Sequence, residues 1–322
     1  MLLDTTPTLA RVTLSAMLTA WLRAWRSGFV EQGEVITHIA ASVSELTGHD
    51  HVVRQSAGDE LSEGHAESLE LMLEAWVTAG VEDIRLVLPA PGDTRGLPAY
   101  SAAAPGETGN FVTAAVDAGC AVICAIGGTV PSANPRFPGH AAGGARLVGL
   151  IPEPIPGRMV IWRRYELSAA AEPVPTARDL PSWATPPLDP INPADAGAAL
   201  VGELHDVTDL LGRLELAPSA QVQVEQLAVL RRQGIPGAQL PPGYSQRNRL
   251  RLASAGMVLG IAELAQRDSS GGAIDSHQAL ARTAALRSIA DTARQSYTAA
   301  INAPLESVPA TQPTTALQRQ IS

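Results

Sequence analysis

The sequence predicts an α+β fold: a mixed β-sheet with packed helices, followed by a C-terminal antiparallel helical bundle. Three observations carry that expectation. Apolar, β-branched runs at Ile84–Leu88, Cys120–Ile126, Arg146–Ile151 and Met159–Trp162 alternate with helical patterns in the first half. A Pro-rich stretch over 168–192 has almost no periodicity and reads as a linker. Beyond it, apolar residues recur at spacings of three and four with short joints, the signature of a bundle.

Each element follows from its own residues. Residues 9–47 read as two helices broken at Ser27-Gly28, a helical pair (1–48) packing on the next domain. Leu14, Leu18, Trp21 and Trp25 share one face of the first, and that face needs a partner within the protein or on another chain. The α/β domain spans 49–167. It opens with a short strand near His49–Val53, then a helix marked by Leu69, Met72, Leu73 and Trp76 with glutamates outward. The strand Ile84–Leu88 stops at Pro89, and a short helix over 110–118 ends at Gly119. A long Gly- and Pro-rich loop covers 127–144. In the bundle (193–303), Asn192-Pro193-Ala194-Asp195 is a strong helix start. Leu200, Leu204, Val207, Leu211 and Leu214 continue that helix, and a second helix runs over about 219–233. Leu250, Met257 and Leu264 mark a third at heptad spacing. A fourth, capped at Asp275 with Gln278 three residues on, carries Leu286, Ile289, Ala293, Tyr297 and Ile301. Residues 304–322 are polar and contain proline, a tail expected to be mobile.

Composition excludes much chemistry. The chain has no lysine; all 23 basic residues are arginine. Schiff-base catalysis, Ser–Lys pairs and phosphate loops ending in Lys are therefore ruled out. A formal charge of −9 and few aromatic residues argue against nucleic acid as a partner. No run reaches the ~20 apolar residues of a membrane span, because Arg11, Thr13, Ser15, Thr19 and Arg23 interrupt the apolar start. Cys120 and Cys124 are the only cysteines. Four apart on a strand they sit about 13 Å apart, beyond the roughly 7 Å a disulfide allows. Two buried free thiols point to a reducing, cytoplasmic setting.

Candidate sites are few. His49, Asp50, His51, Asp59 and His65 are metal-ligand types, but their spacing matches no diagnostic pattern and solvated turns explain them; no metal and no cofactor is expected. Asp93 and Arg95 lie in the Gly-bearing loop after a strand's carboxyl end, where open α/β sheets bind ligands. Asp93 could serve as base or ligand and Arg95 as a bidentate clamp, with Arg136 and His140 in the 127–144 loop as further lining. An ordinary turn in which Asp93 caps its own backbone accounts for the same residues. Arg247, Arg249 and Arg251 open a helix with three cations at its positive end, an unfavourable placement that asks for acidic partners. Those partners are expected within this acidic chain, or else on another protein. No Gly-x-Ser-x-Gly, Gly-x-Gly-x-x-Gly or His-Glu-x-x-His motif occurs, so catalytic residues are unknown.

One resemblance remains. The segments Leu86–Pro98, Val116–Val122, Gly149–Pro152 and Ala184–Leu188 resemble an uncharacterised actinobacterial protein family with an α/β part and a helical C-terminal part. The resemblance implies a layout and no activity. The functional expectation is a non-catalytic cytoplasmic protein-interaction or assembly protein, with Trp21, Trp25 and the three arginines as contact residues and another protein or self-association as partner. The alternative is a small-molecule-binding protein or hydrolase with its site at Asp93 and Arg95.

Overall fold

The computed structural model describes residues 7–47, 50–55, 66–67, 69–70, 73–74, 81–88, 122–127, 147–155, 159–167, 191–213, 225, 228, 240–267 and 276–306. In chain order the elements are α1 (Pro7–Arg26), α2 (Gln32–Thr47), β1 (Asp50–Gln55), β2 (Ala66–Glu67), β3 (Val81–Val87), β4 (Val122–Gly127), β5 (Leu147–Ile155), β6 (Met159–Leu167), α3 (Pro193–Arg213), α4 (Gln246–Arg267) and α5 (Ser276–Asn302).

The centre of the molecule is α1. From Leu9 to Ala24 every residue except Arg11 and Arg23 is buried, whichever side of the helix it occupies. A helix apolar on all sides belongs inside a core. Of its hydroxyl-bearing residues, Thr19 bonds the helix backbone, its Oγ1 donating to Ser15 O at 2.7 Å. That local bond lets Thr19 be buried without an unpaired hydroxyl, and Thr13 and Ser15 are buried beside it. Around α1 lie α2, β3, β4, β5, α4 and α5.

The helix ends in a tight reversal. Gly28 takes φ +75, the left-handed region glycine favours. Phe29 N–H donates to Ala24 O at 2.8 Å and Gly28 N–H to Trp25 O at 3.0 Å, the paired bonds of a Schellman cap. The α2 helix then starts with Glu34 Oε2 accepting the Glu31 N–H at 3.0 Å, half of a capping box.

The fold class expected from the sequence, an α+β mixed sheet with packed helices followed by a bundle, needs correction. Among residues with described side chains, helices dominate and β3 is the single strand. The core is organised around a helix, and one cluster runs from Leu14 and Leu18 of α1 through Val81, Ile84 and Leu86 of β3 to Leu252 and Leu259 of α4 and Tyr297 of α5. The physical reason is α1 itself: a helix that buries every face needs neighbours all round, and both ends of the chain supply them. The backbones of the six strands pair in the order β2-β1-β6-β5-β4-β3, parallel between β1 and β6 and antiparallel elsewhere. Strand β3 stands at one edge, with an irregularity between Val81 and Asp83.

The edge of β3 is covered by a side chain. Asn302, the last residue of α5, accepts the Leu86 N–H through Oδ1 at 2.9 Å and donates Nδ2 to Leu86 O at 2.8 Å. Its carboxamide thus imitates the next strand and satisfies an otherwise open edge.

The C-terminal helices begin as their sequences require. Asn192 caps α3, its Oδ1 accepting the Ala194 N–H at 2.8 Å, with Pro193 in the first turn. Ser245 caps α4 through Oγ, which accepts the Asn248 N–H at 3.3 Å. Both α3 and α4 pack against α5, and both start beside its C-terminus. Of the heptad Leu250, Met257 and Leu264, Leu264 is buried in the core and Met257 packs against it, but Leu250 is not part of the seam. Leu250 is 59 % exposed, whereas Asn248, Leu252, Ala255, Gly256, Leu259 and Gly260 are buried. Small residues let α4 approach its neighbours closely, and they place the contact on a stripe that a scan for large side chains passes over. A smaller apolar cluster joins Val207 of α3 to Ala262 of α4 and Ile289 of α5.

Candidate functional site

The tryptophan face is occupied from within. Trp21 is 5 % exposed and its ring stacks on His38 of α2, with centroids 3.9 Å apart and planes 14° apart. Trp25 packs partly buried against the core, with the Arg26 guanidinium 5.7 Å above its ring. Trp21 therefore offers little surface to another chain, whereas Trp25 keeps part of its surface exposed.

The three arginines at the start of α4 separate. Arg249 turns inward, donating Nε to Tyr244 O at 3.1 Å and NH2 to Pro241 O at 2.7 Å. Desolvation there lowers its pKa from the ordinary value. It staples the turn that precedes α4. Arg251 donates NH1 to Asn248 Oδ1 at 3.1 Å, and its stem crosses the first turns of α3 at Gly197. A Cβ at Gly197 would stand 3.3 Å from Arg251 Nε, so this glycine provides the space for the crossing. Arg247 is exposed. Neither Arg247 nor Arg251 forms an ion pair with a described carboxylate.

Arg247 and Arg251 line a common cleft of about 540 Å³. Asn192, Pro193 and Ala194 at the start of α3 form one wall, and Ser245 and Asn248 at the start of α4 another. Ala303, Pro304 and Glu306, after α5, close it. That closing segment is held by Glu306 N–H donating to Gly243 O at 2.8 Å. Gly243 takes φ +92, and a Cβ on it would meet Leu305 at 3.2 Å and Phe29 at 3.3 Å, so glycine is needed both for the turn and for the approach.

Beside the cleft, Arg23 of α1 reaches the C-terminus of α5. Its NH1 donates to Ile301 O, to Ala303 O at 2.9 Å and to the Tyr244 hydroxyl at 3.5 Å. Tyr244 in turn donates to Ile301 O at 2.8 Å. A cation on the last carbonyls of a helix meets the negative end of its dipole. Burial pushes the Tyr244 phenol above its ordinary pKa, against the pull of Arg23, and burial raises that of Tyr297 as well. The sequence offered Arg23 only as an interruption of an apolar run, and nothing in its spacing marks Tyr244 or Asn302.

Asp93, Arg95, Arg136 and His140 lie outside the described residues, as do His49, Asp59, His65 and Cys120. Asp50 and His51 fall in β1, paired with Met159 and Val160 of β6, and Cys124 falls in β4 opposite Arg85 of β3. Among the described residues no three His, Cys, Asp or Glu side chains gather as a metal site. No helix among them is long and apolar enough to cross a membrane.

On α3, apolar side chains face outward. Val201 is 70 % and Leu204 44 % exposed, one turn apart, on a helix that buries only Ala196, Leu200 and Val207.

No curated protein and no solved structure matches the chain. Two family models do: the Rv1486c-like protein, N-terminal domain, over residues 15–178, and the Rv1486c-like protein, C-terminal domain, over residues 194–298. The chain belongs to the Rv1486c-like protein family and carries both of its domains.

Proposed function

We propose that this protein is a non-catalytic interaction or assembly protein that contacts another protein chain through the outer face of α3. The observation that supports this reading is the exposure of Val201 and Leu204 on that helix. Apolar surface left in water costs roughly 25 cal/mol per Å², and covering it with a partner recovers that energy. Sequence reasoning gave the contact role to Trp21 and Trp25; Trp21 is buried in the core, and Trp25 packs partly buried against it. The arginines at the start of α4 add charge at the same end of the helical layer, without belonging to the α3 face.

Site-specific photocrosslinking tests the proposal. A photoreactive side chain at position 201 of the full-length chain, expressed at native level in its own cell, is expected to give one discrete protein adduct. Leu204→Glu should abolish that adduct, whereas the same probe at exposed Arg287 should give none. Absence of an adduct from position 201, or equal adducts from both positions, would contradict the reading. Crosslinking of the purified chain to itself would identify the partner as a second copy.

A further inference from the structure

We propose that the cleft between the starts of α3 and α4 binds a phosphate group, carried by a small molecule or free, with Arg247 and Arg251 as its clamps. This inference rests on a different surface from the α3 face and does not depend on it. Four positive features converge on the cleft: the two guanidinium groups and the N-terminal ends of two helices of more than twenty residues each. Each helix end presents the positive pole of its dipole. The first turn of α4 contains no acidic residue to offset this, whereas the first turn of α3 carries the exposed Asp195, which offsets part of its pole. Two cations that share a cleft with two positive helix ends repel one another, and an anion between them removes the conflict.

The polar lining points the same way. Asn248, on the cleft lining, is only 7 % exposed as a residue. Its Oδ1 orients Arg251, while its Nδ2 donates to no described residue and remains for a ligand oxygen. Passage over Gly197 directs the Arg251 stem across α3 toward the cleft. Planar guanidinium groups match the oxygen pairs of a phosphate, which favours this anion over a simple halide. The volume, about 540 Å³, lies within the usual range for small-molecule sites, so a phosphate ester fits better than a bare ion. Glu306 is the one acidic residue on the lining; it is exposed and forms no ion pair with either arginine. It opposes the ligand and limits affinity.

Phosphorus NMR titration of the full chain with inorganic phosphate and, separately, with phenyl phosphate tests this assignment. Saturable binding is expected for at least one probe. Tighter binding of phenyl phosphate would identify an ester as the natural form, and equal binding would identify the free ion. Arg247→Gln with Arg251→Gln should weaken binding by at least about tenfold, the loss expected for charged hydrogen bonds. Arg287→Gln, exposed on α5, should leave it unchanged. Glu306→Gln, at an exposed position, should strengthen it and so provides a test even if the double variant fails to fold. No saturable binding of either probe, undiminished binding in a folded double variant, or no gain from Glu306→Gln would overturn the proposal.

Discussion

Helices α1 and α3 look alike in sequence, each an amphipathic stretch with leucines three and four apart, yet they occupy opposite environments. The first is buried on every side, with contacts to helices from both halves of the chain and to three strands. The second buries three of its twenty-one residues and leaves Val201 and Leu204 in solvent. The difference lies in what fills the positions between the leucines. In α1 those positions hold Ala10, Ala16, Ala20 and Ala24, which allow close approach, and Ser15 and Thr19, one bonding the other's backbone. In α3 they hold Glu203, Asp206 and Asp209, whose charge keeps that side in water, together with the polar His205. Small hydroxyl residues cost little enough to be buried in α1, whereas the carboxylates of α3 stay in water.

Substitutions at matched positions should expose this contrast. Leu18→Ala, in the middle of α1, removes a fully buried side chain from a core that cannot collapse from any side. A loss of about 2–5 kcal/mol is expected in urea denaturation. Val201→Ala in α3 should change stability by no more than ~0.5 kcal/mol, the range for surface sites. Equal losses at the two positions would remove the contrast.

The next effect concerns how the end of α5 holds β3. Asn302→Ala leaves the Leu86 N–H and C=O without their partner. A cost of about 1–3 kcal/mol follows from leaving partly buried backbone groups unpaired. Asn302→Asp loses the donor and sets a carboxylate against the Leu86 carbonyl and the negative end of the α5 dipole, so it too should be less stable than the parent. A thermal melt read by circular dichroism compares the three proteins, and a parent no more stable than either variant would refute the strand-mimic account.

These features show which parts of the structure can be seen in the sequence. The break between α1 and α2 at Gly28 and the start of α3 at Asn192-Pro193 are legible, because caps and turns are set by neighbouring residues. The burial of α1 is not, since periodicity marks one face and cannot say whether the other is also covered. The seam of α4 is only partly legible for a related reason: Leu252, Leu259 and Leu264 show in the sequence, but Ala255, Gly256 and Gly260 between them carry little hydrophobic signal. Of the candidate site, the unfavourable charge at Arg247 and Arg251 is visible in the sequence. Its convergence with the start of α3 is not, because that contact joins residues more than fifty positions apart.

A smaller effect is set by pH. Both Tyr244 and Tyr297 keep their protons more firmly in the folded protein than in the unfolded chain, because burial disfavours the phenolate. The stability they contribute is therefore fully present below the ordinary tyrosine pKa of about 10 and declines as pH rises through the raised folded values. Urea midpoints measured from pH 8 upward should fall beyond about pH 10. Tyr244→Phe is expected to flatten that fall, because one of the two groups is gone; an unchanged slope would mean that Tyr244 is not shielded.

The central claim is that α1 forms the core and that helices from both ends of the chain are built on it. Amide hydrogen exchange of the full-length protein measures this most directly, since protection reports the free energy of the opening that exposes each amide. Amides between Val12 and Leu22 should belong to the slowest class and exchange only with global unfolding. Those on the outer face of α3 should exchange by local opening, orders of magnitude faster. Fast exchange along α1, at rates like those of α3, would contradict the account.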